Sequence, residues 1–251
     1  MAVLLLRLAG PMQSWGDSSR FARRTTRREP TKSGIVGLIA SALGRTREDP
    51  VDDLARLELA VRVEQPGQLM RDFQTERPMN GGKPMPLSNR YYLADACFLA
   101  ALGGPADQLK RLEAALRLPR RPLYLGRRSC PADLPLCLDL DEEAQDVRQV
   151  LANTPWGASE RYKSRHAGTS ALEIVADARD GEACESWADY PLTYSASGRR
   201  YACRPVVRLR VPNPDVTDPG DNDDGDEVAT GSIQEPQRQD VPVHDPIGWM
   251  G

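Results

Sequence analysis

Hydrophobic and polar positions along the first half of the chain fall into short runs of changing period. AVLLLRL (2–8) is leucine-rich and nearly all apolar, which predicts a buried strand. GPMQSWG then breaks the run, and an arginine-rich loop follows. Ile35, Leu38, Ile39 and Leu43 recur at helical spacing, which predicts a helix over 31–43 closed by Gly44. In LELAVRVEQ (57–65), Leu57, Leu59, Val61 and Val63 alternate with period two, a half-buried strand. The pattern then lapses through Pro66, Gly67, Pro78, Gly81, Gly82, Pro84 and Pro86, which marks an exposed excursion, a long hairpin tipped by NGG. RYYLADACFLAAL reads as one core strand, PADQLKRLEAALRL as an amphipathic helix, and RPLYLG as a closing strand.

The predicted order is β-α-β, insertion, β-α-β. That is the ferredoxin-like sequence of elements and also the RRM order, an α+β class. Beyond Arg127, LPLCLDL, ALEIVAD and YACRPVVRLRV read as strands and EEAQDVRQVLAN as a helix. The organisation expected is a first domain over 1–131 with its insertion at about 66–90 and a smaller C-terminal α+β or β segment over 132–212 packed on it. Residues 213–251, rich in Asp, Gly, Pro and Asn, are expected to be a disordered tail.

Charge sharpens this picture. The chain of 251 residues has a net charge of −3, but ten acidic residues and one basic residue lie from Asn213 onward. The body is therefore basic, and Met1 to Arg47 alone holds nine Arg or Lys against Asp17 and Glu29. Lys32, Lys83, Lys110 and Lys163 are the only lysines. Arginine suits bidentate contacts to phosphates and base edges, although a GC-rich genome produces the same bias. For the tail, shielding of the basic face and an inert solvated extension both stand. No apolar run is long enough to span a bilayer and no signal-peptide pattern is found, so no membrane association and a cytoplasmic location are expected. Five cysteines without a CxxC pair, beside only His166 and His244, exclude a zinc site and a disulfide framework and read as buried free thiols. No metal or cofactor is expected.

PTKSG resembles the end of a phosphate-binding loop, yet no glycines precede Lys32 as backbone wrapping of a nucleotide requires. What remains is a helix N-terminus with Thr31 or Ser33 as cap and Arg20, Arg23, Arg24, Arg27 and Arg28 upstream. Free N–H groups and the helix dipole attract an anion there, a polyphosphate backbone rather than one small ligand. An ordinary capped helix beside a solvated loop is the alternative. Gln13 and Ser14 offer hydrogen bonds, and Trp15 offers either a stacking face or a core ring. Gly126 followed by Arg127, Arg128 and Ser129 repeats the theme, and Arg71 stands at the base of the excursion with Asp72, Phe73 and Gln74. For metal-free RNA cleavage, Tyr162, Lys163 and His166 make a set on paper, within a segment that reads as a polar loop.

LRLAGPMQSWG, RREPTKSGIVGLIASALGRTR, LMRDFQT, RYYLADACFLAAL and RPLYLGRRSCP, in this order, resemble the CasD family, subunits of the type I-E CRISPR surveillance complex Cascade within the RAMP superfamily of RRM-like RNA-binding proteins. The resemblance covers about residues 1–131 and fades beyond. It implies a non-catalytic subunit that caps the 5′ handle of CRISPR RNA and contacts the large subunit and the adjacent backbone subunit, meeting target DNA only through the complex. It also implies that the excursion is a thumb-like hairpin. Carried onto this sequence, the RNA-binding candidates are Gln13, Ser14, Trp15, Arg20, Arg23, Arg24, Thr31, Lys32, Ser33, Arg71, Arg127, Arg128 and Ser129. The competing reading is a metal-independent endoribonuclease that processes precursor RNA, and a third is a structural bridge.

Overall fold

The computed structural model describes residues 1–16 and 23–216. In chain order the elements are β1 (Ala2–Ala9), β2 (Met12–Gln13), β3 (Arg23–Arg24), α1 (Lys32–Ala42), α2 (Asp52–Ala55), β4 (Glu58–Gln65), β5 (Gln68–Gln74), β6 (Ser88–Ala94), β7 (Cys97–Gly104) and α3 (Ala106–Arg117). They continue with β8 (Cys137–Asp141), α4 (Val147–Asn153), α5 (Glu160–Arg165), β9 (Ala171–Asp177), β10 (Glu185–Thr193) and β11 (Arg200–Pro212). Seven strands form one antiparallel sheet in the order β10-β11-β9-β4-β7-β1-β8.

β1 is apolar at every position but Arg7 because both of its faces are covered. Leu4, Leu6 and Leu8 pack toward α1 and α3, while Val3 and Leu5 pack with Val147 and Leu151 of α4 on the opposite face. α1 buries Ile35, Leu38 and Ile39. Its end is a Schellman turn: Gly44 takes φ +79°, its N–H donates to the Ser41 carbonyl, and the Arg45 N–H donates to the Ala40 carbonyl. α3 buries Leu109, Leu112 and Leu116.

Four expectations change. RYYLADACFLAAL is two strands, because Asp95 at φ 53° turns the chain from β6, in a small second sheet with β2, β3 and β5, into β7 of the main sheet. RPLYLG is not a strand. The Leu125 N–H donates to the Cys130 carbonyl (2.7 Å) in a tight turn, and β8 takes the edge beside β1. Residues 132–212 do not pack on a finished first domain; β8 and the β9-β11-β10 group extend its sheet at both edges. Asn213 is buried rather than disordered, donating from its side chain to the Thr169 carbonyl (2.8 Å). Most of the acidic segment, from residue 217 on, lies outside the described residues.

β4 is also buried on the face the alternation leaves polar. Arg62 and Glu64 are both fully enclosed and pair with each other at 2.5 Å. The excursion is a hairpin of β5 and β6, paired from Gln68↔Ala94 to Gln74↔Ser88.

Of the five thiols, Cys97, Cys130 and Cys137 are buried, whereas Cys184 and Cys203 are exposed, which corrects the expectation for two of them. Burial pushes the Cys97 thiol up to about 11 and raises those of Cys130 and Cys137. Because the thiolate is the reactive form, Ellman's reagent at neutral pH is expected to label two thiols quickly in the native protein and five in denaturant. Fast labelling of a third would contradict the packing.

Candidate nucleic-acid interface

The N-terminus of α1 holds an anion, and that anion belongs to the protein. Thr31 caps the helix by accepting from the Gly34 N–H (3.2 Å), and the Lys32 N–H donates to Asp189 Oδ2 (2.8 Å) from β10. Lys32 Nζ reaches Asp177 (2.8 Å), and Arg204 joins both carboxylates, with 2.7 Å to Asp189 and 2.5 Å to Asp177. Lys32, Asp189 and Arg204 are all buried, and the lysine expected to meet a phosphate belongs here to a cluster of two cations and two carboxylates.

Gln13 and Trp15 are likewise interior. The Gln13 amide donates to the Leu8 carbonyl (2.9 Å) and the Ala96 carbonyl (2.8 Å), and its oxygen accepts from Trp15 Nε1 (3.0 Å). Both amide donors are thereby engaged, and the side chain is 0% exposed. The Trp15 ring lies against Gly34, where an added Cβ would come within 2.6 Å of ring carbon Cε3. Gly34 thus admits a core ring rather than a ligand.

The surface between α1, the 124–129 turn and the β10-β11 hairpin is a groove of about 1430 Å³. Arg24, Arg45, Arg47, Arg90, Arg121, Arg127, Arg128 and Arg199 line it, and no Asp or Glu does among the described residues. Its floor is the small-residue face of α1, with Ser33, Gly37, Ala40 and Ser41, and Tyr124, Tyr194 and Tyr201 stand along it. Arg45 is held by Asp53 (2.6 Å) and Arg90 by Glu76 (2.9 Å). Arg127 donates to the carbonyls of Tyr91 (3.1 Å) and Arg24 (2.9 Å), which fixes its position without neutralising its charge. The guanidinium groups of Arg24, Arg47, Arg128 and Arg199 have no side-chain partner among the described residues. The turn that carries Arg127 and Arg128 requires glycine at 126: φ is +88°, and an added Cβ would sit 1.8 Å from the Ser14 carbonyl oxygen.

Of the residues expected to bind RNA, the groove gathers Ser14, Arg24, Thr31, Ser33, Arg127, Arg128 and Ser129, with Trp15 as a buried part of its wall. Ser14 and Thr31 are themselves buried, with Ser14 Oγ donating to the Tyr91 carbonyl (3.2 Å). Gln13, Arg23, Lys32 and Arg71 do not line it. Arg23 sits over the Tyr91 ring at 5.4 Å, and Arg71 is exposed on β5. Arg20 lies outside the described residues.

Arg45, Arg47, Arg90, Arg121 and Arg199 are the groove arginines that the sequence candidates omit. A signal existed for the first two, which directly follow the helix-ending Gly44 within the most basic part of the chain. Tyr162, Lys163 and His166 do not line the groove. They lie on and just after α5, where a loop was expected; His166 stacks on Tyr162 (3.9 Å between centroids), and Lys163 pairs with Asp215 at 2.9 Å. Among the described residues no cluster of metal-ligating side chains occurs, and no helix is long and apolar enough to cross a membrane.

The chain is 34% identical over 174 residues to the CRISPR system Cascade subunit CasD of Escherichia coli (strain K12), a match covering 61% of this chain and 78% of that one. A solved CRISPR RNA-guided surveillance complex contains a chain similar to 88% of this one, with 95% of that chain covered, at 32% identity and TM-score 0.69. A structure described as a Cas protein matches 84% of this chain and 95% of its own at 36% identity and TM-score 0.62. The family model for CRISPR-associated protein (Cas_Cas5) matches residues 3–207, and the chain belongs to that family.

Proposed function

We propose that this chain is a non-catalytic, RNA-binding subunit of a cytoplasmic Cascade-type surveillance complex, and that its arginine groove holds the 5′ handle of CRISPR RNA. The observation that carries this reading is a groove lined by eight arginines and, among the described residues, no carboxylate, four of the arginines having no side-chain partner there. A single-stranded polyanion matches that field along its whole length, while its bases can turn toward the tyrosines. The strands β8-β1-β7-β4 with α1 and α3 are read as the RRM-like βαββαβ core. The β5-β6 hairpin exposes Leu69, Phe73, Met79, Met85 and Leu87, an apolar surface suited to a neighbouring subunit. Target DNA would meet the subunit only through the assembly.

The test is salt-dependent binding of labelled handle RNA to the assembled complex. Replacing Arg24, Arg47 and Arg128 together with alanine is expected to weaken binding and to lower the log–log salt slope by about 2, at roughly 0.7 for each single-strand phosphate that is no longer neutralised. An unchanged slope would remove the groove from the RNA path.

A further inference from the structure

Resting on the RNA reading, we infer that the β10-β11 hairpin supplies a nucleobase-stacking subsite, with Tyr201 as the platform and Arg199 as the contact to that nucleotide's phosphate. Stacking requires an aromatic face that solvent can reach. Trp15, which packs against Gly34 of α1, is 0% exposed and cannot serve. Among the described residues the exposed aromatic rings are Phe73, on the β5 strand of the hairpin away from the groove, and Tyr201, which lines the groove.

The Tyr201 ring is positioned in advance. It meets Tyr194 at 6.4 Å between centroids and 65° between planes, and the Tyr194 hydroxyl donates to the Ser33 carbonyl on α1. Tyr194 is thereby tied to the groove floor, and Tyr201 leans on it from the start of β11, opposite Pro191 of β10. A platform held in this way loses little side-chain freedom when a base settles on it.

Space and charge agree with this assignment. Gly37 lies against Tyr194, with its Cβ position 3.7 Å from the tyrosine hydroxyl, so no side chain of α1 stands between the helix and that ring. Arg199, two residues before Tyr201, has no side-chain partner among the described residues, and Arg45, Arg47 and Arg121 line the same groove. A flat ring beside the guanidinium of Arg199, which has no side-chain partner among the described residues, suits a base with its phosphate. A basic peptide would be repelled, and duplex RNA would keep its bases stacked inside.

The experiment uses the assembled complex and handle RNAs carrying 2-aminopurine at one position at a time. With the wild-type chain, one position is expected to be strongly quenched by stacking. Tyr201→Leu should restore its fluorescence and weaken binding about 5- to 150-fold with the salt slope unchanged, whereas Tyr201→Phe should behave as wild type. Arg199→Ala should lower the slope by about 0.7 and leave the quenching in place. Wild-type affinity and unchanged fluorescence in Tyr201→Leu would overturn the subsite while leaving the RNA reading to the Arg24, Arg47 and Arg128 test. Failure of the wild-type complex to hold handle RNA would overturn both.

Discussion

Asp189→Ala is expected to lower stability by about 3–5 kcal/mol, the range for removing one partner from a buried ion pair. Asp189 is 1% exposed and accepts three hydrogen bonds, from the Lys32 N–H at 2.8 Å and from Arg204 at 2.7 and 3.0 Å. With Asp177 it balances the charges of Lys32 and Arg204. Alanine would leave two buried cations facing one carboxylate beside the positive end of a helix, each of which opposes burial. Asp189→Asn, which keeps an acceptor but loses the charge, should fall between alanine and wild type. Urea denaturation checks the series, and a midpoint for Asp189→Ala equal to wild type would refute the cluster.

The same geometry separates Lys32 from the groove arginines. A phosphate ligand replaced by alanine lowers the salt slope and leaves the fold intact. Lys32→Ala is instead expected to leave the slope unchanged and to destabilise the protein, because Asp177 loses its 2.8 Å partner.

This contrast shows what was legible in the sequence. α1 was readable because its determinants are local: the Thr31 cap, the apolar positions at helical spacing, and Gly44 past the end. The basic character of the neighbourhood was equally plain, and eight predicted residues do line the groove as exposed or partly exposed side chains or as buried parts of its wall. The direction each side chain takes was not readable, since it depends on distant partners. Asp177 and Asp189 lie 145 and 157 residues from Lys32, and the carbonyl that binds Gln13 lies 83 residues away at Ala96. β10 escaped detection because Asp189 points inward and Pro191 interrupts the run, both tolerable on an edge strand whose buried carboxylate is paired. With β10 unseen, the hairpin that brings Tyr194, Arg199 and Tyr201 to the groove was unseen too.

Glu64→Ala is expected to have an effect of similar size, again about 3–5 kcal/mol, for a reason confined to the opposite face of the sheet. Arg62 is fully buried on β4 and donates to the carbonyls of Leu151, Thr154 (2.7 Å) and Pro155 (2.8 Å), clamping the end of α4 and the chain beyond it. Glu64 faces it at 2.5 Å and also accepts from the Gly157 N–H. Without Glu64, the guanidinium would keep its carbonyl bonds but lose its counter-charge, and the Gly157 N–H would lose its acceptor. Arg62→Met would orphan three carbonyls and leave Glu64 charged in the interior, so it is expected to be at least as damaging. If the loss in each single variant comes largely from the charge left behind, the double variant should be milder than the sum by about 2 kcal/mol or more, within the range measured for touching residues. Additive losses would show that packing, not the ion pair, holds the segment. Arg62 shares its face of the sheet with Ala60 of the α4-side core, whereas α1 floors the groove from the other side. Variants that still fold should therefore bind handle RNA with the wild-type salt slope, which distinguishes this cluster from the groove arginines.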